Sequence, residues 1–257
     1  MMLKEKYIQD LAMKGKRMDG RGIEDFRKIE IETGLIENAE GSARVRMGKT
    51  EVIAGVKLDI GEPFPDRQGE GVLMAGAEFS PLASPDFETG PPREDSIELA
   101  RVVDRGIRES KMLDMKKLCI KEGEKVWMVF VDIQIINHDG NLIDCASLAS
   151  VAALLTAKMP KVEGDKVEYG TKTSKGLPIT CKPVAVTFWK VADKLLVDAS
   201  VEEEEAAGTR LTVTTKDSGN ICAMQKGGRE ALSVEEIEKA FDASVAKGKE
   251  MRKLLDF

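Results

Sequence analysis

Three arginines, Arg101, Arg105 and Arg108, recur four and three residues apart within residues 96–117. On a helix, that spacing gathers three guanidiniums on one side, the charge that pairs with a nucleic-acid backbone. It equally suits a solvated face laced by ion pairs to Asp104 and Glu109. Spacing alone leaves both readings standing. Two carboxylates, Glu94 and Asp95, follow Pro91 and Pro92 where a helix can begin, and suit its first turn. A run of four carboxylates, Glu202 to Glu205, reads first as a solvated acidic stretch. Its second reading is a divalent cation site. His138 is the one histidine, so any His triad or multi-His metal site must use it; its setting, before Asp139 and Gly140, reads as a turn. Asp19 and Arg21 fit a turn or an ion pair, and Arg67 lies in a Gly/Pro loop. Cys119, Cys145, Cys181 and Cys222 form no CxxC pair. They read as four buried thiols of a reducing compartment rather than a zinc ribbon or disulfide framework.

These residues must be held by elements that the patterning suggests. Residues 1–14 read as a short amphipathic helix with Leu3, Tyr7, Ile8 and Leu11 on one side. Strands are expected over residues 29–32, 42–47, 50–58 and 72–79, with loops at 61–71 and 80–92. Residues 96–117 give the clearest helix, with Leu99, Val103, Gly106, Ser110 and Leu113 on one face. The near-continuous apolar run 126–136 suggests a central strand buried on both faces. Asp144 then opens a helix of small residues ending before Pro160. Residues 161–178 are polar and glycine-rich and read as a linker. Strands are expected near 179–189, 195–199, 210–215 and 221–224. Ser233, with Glu236, forms a capping box that starts a last helix running to about residue 254. The domain reading is an N-terminal helix and arm (1–27), a first half (28–160), the linker (161–178) and a C-terminal half (179–257). Each half is strands followed by helix, an α/β arrangement with mixed or antiparallel sheets, not a TIM barrel or Rossmann fold.

Composition limits the classes. Among 257 residues, 42% are hydrophobic and 33% charged, which excludes disorder and collagen-like repeats. The longest charge-free apolar stretch, residues 145–157, is too short for a bilayer span of about 20 residues. Thirty-nine basic against 45 acidic residues, a net charge of −6, exclude a strongly basic nucleic-acid binder but not a local basic stripe. The N-terminal residues carry no signal-like apolar run, so a cytosolic protein is expected. Two Trp, two Tyr and eight Phe are expected to cluster with aliphatics rather than to form base-stacking platforms. Only four Asn and four Gln are present, a bias shared with hyperthermophile proteins.

In order along the chain stand Arg17-Met18-Asp19-Gly20-Arg21, Gly41-Ser42-Ala43, the helix from Ile97 through Arg101 to Arg105, Asp139-Gly140 before an Ala-rich helix, and Leu196-Val197-Asp198 before the acidic run. Together these resemble the RNase PH family over nearly the whole chain. The segment from Pro91 to Arg101 is most similar to the non-catalytic RNase PH-like subunit of the archaeal exosome ring. The resemblance implies two ribosomal S5 domain-2-like βαβα halves. It also implies a hexameric ring of three heterodimers with a catalytic RNase PH-like partner, RNA-binding cap proteins on one face, and 3′-end phosphorolysis of single-stranded RNA by the assembly, with no membrane association.

Phosphorolysis requires fixed positive charge and N–H donors around inorganic phosphate. By the resemblance, active members place an arginine pair where this chain has Glu94 and Asp95. They place hydroxyl and backbone donors where it has Asn141 and Leu142. They also carry two aspartates near the acidic run; Glu205 could replace the first, while the second falls near Gly208 and Thr209, where no carboxylate exists. The expectation is a non-catalytic subunit that needs no cofactor of its own; inorganic phosphate, with Mg2+ as a candidate, belongs to the partner's site. Arg101, Arg105 and Arg108 are the expected RNA contacts. The rival readings are a self-sufficient enzyme using Arg93 and Glu205, and a scaffold without RNA contact.

Overall fold

A computed structural model describes residues 2–164 and 166–257; Met1 and Asp165 lie outside them. Strands β1 (Ile29–Thr33), β2 (Gly41–Met47), β3 (Thr50–Gly61), β4 (Val72–Phe79), β5 (Cys119–Lys121) and β6 (Lys125–Asn137) build a six-stranded sheet in the order β1-β2-β3-β6-β4, with β5 on β6. Its pairs are antiparallel except β4–β6, which is parallel. A parallel pair needs a crossover, and helix α2 (Glu94–Ser110) supplies it. After helix α3 (Leu142–Thr156) come the hairpin β7 (Lys161–Glu163) and β8 (Lys166–Glu168), then β9 (Val184–Val191) and β10 (Lys194–Val197). Helix α4 (Val201–Ala206), β11 (Thr209–Thr215), β12 (Ile221–Gly228) and α5 (Val234–Arg252) complete the chain. β9 to β12 form an antiparallel sheet ordered β10-β9-β11-β12.

Helix α3 is apolar on every side and sits between the sheets, against β2, β3 and β9. Its small residues let β2 approach: a Cβ on Gly41 would lie 2.3 Å from the Ala153 carbonyl oxygen. One continuous core follows, from Val45 and Val56 through Ala149 and Val151 to Val186, Phe188 and Val213. α5 covers the other side of β9 and β11, so β9 is buried on both faces. The expectation of double burial for residues 126–136 fails, because β6 alternates: Val129, Val131, Ile133 and Ile135 are buried, while Met128, Phe130 and Gln134 are half-buried and Asp132 is exposed.

Other expectations are corrected. In α1 (Met2–Met13) the buried residues are Ile8 and Ala12, packed on Val191, Leu196 and Ala206, while Leu3 and Tyr7 are exposed. α2 stops seven residues early, where Lys111 turns left-handed (φ 57°) and its N–H satisfies the Arg108 carbonyl; Leu113 is buried beyond the helix. Residues 161–178 are tied back to the fold at several points: Thr173 bonds Met159, Leu177 is buried, and the adjoining Ile179 bridges Leu113. The strand expected from 179 begins at Val184, and of the four free thiols only Cys145 is fully buried. The capping box at Ser233–Glu236 forms as read. No helix among the described residues is long and apolar enough to cross a membrane.

Candidate functional site

The ends of both sheets meet at a cavity of about 170 Å3. Asp95 and Glu98 reach it from the first turns of α2, Asn141 and Leu142 from the start of α3, Trp189 and Arg210 from the cross-strand pair of β9 and β11, and Glu204 from α4. His138 lies beside it with its ring stacked on Phe87 (centroids 5.4 Å, 14°), and Phe87 packs on Phe79 at 4.5 Å. His138 is the turn residue expected, its Nδ1 accepting from the Gly140 N–H; burial holds its pKa below the ordinary value.

The structure thus brings three of the four degenerate phosphate-site positions, Asp95, Asn141 and Leu142, to one place; Glu94 is exposed outside the lining. Two features make the place hostile to phosphate. The carboxylates Asp95 and Glu98 flank it, and its one cation, Arg210, is held by Glu98 at 2.5 Å. Like charges about 4 Å apart at an effective dielectric near 20 repel by about 4 kcal/mol. In addition, the Asn141 N–H at the α3 N-terminus, a natural anion donor, already donates to Glu204 Oε1 at 2.7 Å. Burial pushes the Glu204 carboxyl up to about 8, against the opposing pull of that hydrogen bond.

Behind the cavity, Asp198 is fully buried and anchors two segments of the chain, the N-terminal arm and the start of α3. Its carboxylate accepts from Arg27 Nε (2.9 Å) and Nη2 (2.7 Å), the Arg27 N–H (2.7 Å), Arg21 Nη1 (2.8 Å) and Asn141 Nδ2 (3.0 Å). Burial alone would raise its pKa; the Arg27 guanidinium outweighs this and holds it below the usual range. Beside it, Arg17 pairs with Glu203 in a buried bidentate contact (2.9 and 2.5 Å). The acidic run is therefore not a solvated stretch. Glu203 closes a capping box with Ser200 and holds Arg17, Glu204 holds Asn141, Glu202 pairs with Lys4, and only Glu205 is exposed. Asp19 and Arg21 pair within the chain. No three His, Cys, Asp or Glu among the described residues converge as metal ligands. With Glu203 and Glu204 engaged and no carboxylate at Gly208–Thr209, the acidic run does not fit a Mg2+ site.

The arginine trio divides. Arg101 and Arg105 are exposed on one side of α2. Arg101 has no hydrogen-bond or ion-pair partner among the described residues, and Arg105 is steadied by Gln225 on β12 at 2.9 Å. Arg108 lies apart, locked to Asp104 (2.7 and 2.9 Å) and to the Leu73 carbonyl oxygen (3.0 Å), on a separate groove whose rim includes exposed Arg67. Arg93 is engaged by Glu88.

Comparison with known proteins gives this architecture a lineage. Domain 1 of the 3′ exoribonuclease family RNase PH matches residues 25–160, and domain 2 matches residues 181–247. The chain belongs to the RNase PH family. Among RNase PH relatives, the exosome complex component Rrp42 of Methanosarcina mazei is 48% identical over 252 residues (98% of this chain, 93% of that protein). Rrp42 of Pyrococcus horikoshii is 49% identical over 253 residues (97% and 92%). A chain of a solved structure, the Archaeoglobus fulgidus exosome with RNA bound to the active site, superposes with a TM-score of 0.92 at 47% identity, covering 98% of this chain and 97% of that one. Of the RNase PH motifs quoted from sequence, Arg21, Asn141 next to Asp139-Gly140, and Asp198 meet behind the cavity, while Gly41-Ser42-Ala43 packs at the far end of α3. Sequence reading missed Arg27, Glu98, Trp189 and Arg210 as site residues, and it named Glu204 only as part of the acidic run. A signal existed for α4, since Ser200 and Glu203 have capping-box spacing; none existed for the pairing of Arg27 with Asp198.

Proposed function

We propose that this chain is the non-catalytic RNase PH-like subunit of an archaeal exosome core. It completes a hexameric ring with a catalytic RNase PH-like partner, three of each, helps shape the partner's site and guides single-stranded RNA through Arg101 and Arg105. Arg108 does not join them, because Asp104 and the Leu73 carbonyl already occupy it. Inorganic phosphate, and Mg2+ where it is used, belong to the partner. RNA-binding cap proteins on one face and a cytoplasmic place of action follow from the family resemblance.

One observation carries the reading: where an orthophosphate needs cations and free N–H donors, the cavity offers Asp95, Glu98 and an Asn141 N–H committed to Glu204. The similarity to Rrp42 exosome components over the full chain supports the assembly. The test is to incubate the purified chain with RNA, inorganic phosphate and Mg2+, with and without the catalytic partner. No nucleoside diphosphate is expected from the chain alone, and processive release from the pair. Release by the chain alone would overturn the proposal.

A further inference from the structure

Glycine inside a strand weakens it, and where the strand does not bulge it marks a place that something approaches closely. The first sheet has such a place. Across β3, β6 and β4 one register row reads Gly55, Asp132, Gly76. The ladder is regular there, and neither glycine adopts a positive φ. Packing does not require them either: a Cβ on Gly76 would meet nothing within 4 Å, and one on Gly55 only Ile36 Cδ1 at 3.8 Å. Nothing within the chain explains the two glycines, yet together they clear both flanks of Asp132. Asp132 is exposed and has no hydrogen-bond or ion-pair partner among the described residues. On the same face the row to one side is Ile53, Gln134 and Glu78, and the row to the other is Lys57, Phe130 and Met74. Gln134 Nε2 donates to Glu78 Oε2 at 2.8 Å, so Glu78 has an amide but no cation. The neighbouring charges on β3 are matched, Glu51 by Arg46 at 2.9 Å and Lys57 by Glu40 at 2.9 Å. Burial and the Glu78 charge raise the Asp132 pKa, the mark of a carboxylate that lacks a counter-charge. Beside Asp132 opens a groove of about 470 Å3 walled by Ile36, Ile53 and Tyr169, of which Ile36 and Tyr169 are exposed.

We infer that this sheet face docks a different protein, whose contact surface lays an arginine side chain across the Gly55–Asp132–Gly76 row and an adjoining aliphatic or aromatic side chain in the groove. Charge complementarity carries the choice of occupant. A guanidinium gives two parallel N–H donors to one carboxylate, and the bare glycines on either side admit its flat head and apolar stem. Glu78 adds a second negative charge in the next row. Other occupants fit less well. No three His, Cys, Asp or Glu converge as metal ligands among the described residues. Nucleic acid would bring its phosphates against two unmatched carboxylates. A free small cation would leave the apolar walls of the groove wet. A second copy in a two-fold contact would set Asp132 against Asp132. A protein surface that pairs arginine with a large apolar side chain satisfies the charge and the groove together, and such pairs anchor protein interfaces. The inference does not rest on the proposed function.

The test is NMR titration of the isotope-labelled full chain with the blocked tripeptide leucyl-arginyl-leucine and with the same peptide carrying citrulline, the neutral analogue of arginine. The arginine peptide is expected to bind in the millimolar range or tighter and to shift the Gly55, Asp132 and Gly76 amide signals. The citrulline peptide should bind about tenfold more weakly, and Asp132→Asn should weaken the arginine peptide about tenfold. Gly76→Thr separates docking from folding. It adds a β-branched side chain in open space, so the melting temperature of the isolated chain should hold or rise, while peptide binding falls about tenfold or more. In a ring reconstituted with the catalytic partner, lost peptide binding would assign the face to that partner and retained binding to a further protein; both uphold the inference. No binding of the arginine peptide, equal binding of the citrulline peptide, or unchanged binding in Gly76→Thr would overturn it. So would a Gly76→Thr chain that melts lower, because the glycine would then serve the sheet itself. Self-association of the chain that Gly76→Thr abolishes would make the occupant a second copy and overturn the assignment to a different protein.

Discussion

At the scale of single residues, the buried carboxyls make opposite demands on pH. Asp144 is fully buried, accepts the Thr187 N–H at 2.9 Å and the Thr187 hydroxyl at 2.7 Å, and has its pKa pushed up to about 7 by burial. The folded chain therefore keeps a proton that the unfolded chain releases near the ordinary value of 3.8. Its contribution to stability is complete below about pH 4, declines as pH rises toward 7, and is flat above that. The slope inside this window approaches about 1.4 kcal/mol per pH unit. Asp144→Asn should remove it, so urea midpoints measured at pH 5 and pH 8 should differ less in the variant than in the native chain; an equal difference would contradict the assignment. Asp198 works the other way, since its depressed pKa confines its loss to more acidic solution. The Arg17–Glu203 pair sets a second expectation. Arg17→Ala leaves a buried carboxylate without its cation and should cost about 3–5 kcal/mol in denaturant unfolding, whereas Arg17→Met with Glu203→Leu should recover most of that. Sequence showed part of this: Glu94 and Asp95 were legible by position in a motif. Asp198 was legible only as a motif letter, because the arginines that define its chemistry lie 171 and 177 residues away, and no local pattern encodes such pairs.

At the scale of elements, α2 makes separable contributions from its two sides. Arg101 and Arg105 stand exposed four residues apart, a rise of about 6 Å along the helix. In the reconstituted ring, Arg101→Ala with Arg105→Ala should weaken binding of single-stranded RNA across sequences. It should also lower the slope of log affinity against log salt by about 1–2, as each phosphate contact is worth about 0.7 for single strands. Arg108→Ala should leave that slope unchanged and cost about 0.3–0.5 kcal/mol of stability through the lost pair with Asp104. Equal effects from both variants would place the RNA elsewhere. The helix was legible because its period is strong; its end was not, because Lys111 adopts the left-handed turn usually marked by glycine. β6 and β9 show the same limit. Both are apolar runs, and only the placement of α5 behind β9 decides which strand is covered twice. Residues 161–178 read as a linker from their polar composition, which does not report the β7–β8 hairpin they contain.

At the scale of the molecule, two family domains share one interior. The core runs without interruption from the first sheet through α3 to the second sheet and Leu255. The N-terminal arm crosses the boundary as well, sending Arg17, Arg21 and Arg27 to Asp198 and Glu203 in the C-terminal half. Neither half can expose its side of α3 without stripping the other, and neither can release the arm without stranding buried carboxylates. The chain should therefore unfold in a single transition despite its two domains. Scanning calorimetry should give a van't Hoff to calorimetric enthalpy ratio close to unity, with a heat-capacity increment of about 3–4 kcal/mol/K for a chain of this length. From the scarcity of Asn and Gln, a midpoint above about 65 °C, beyond the range of ordinary mesophile domains, is the expected outcome of the same scan. A ratio well below unity, with one transition lost in the Arg27→Ala variant and the other kept, would show that the halves melt separately and that the shared core around α3 does not couple them.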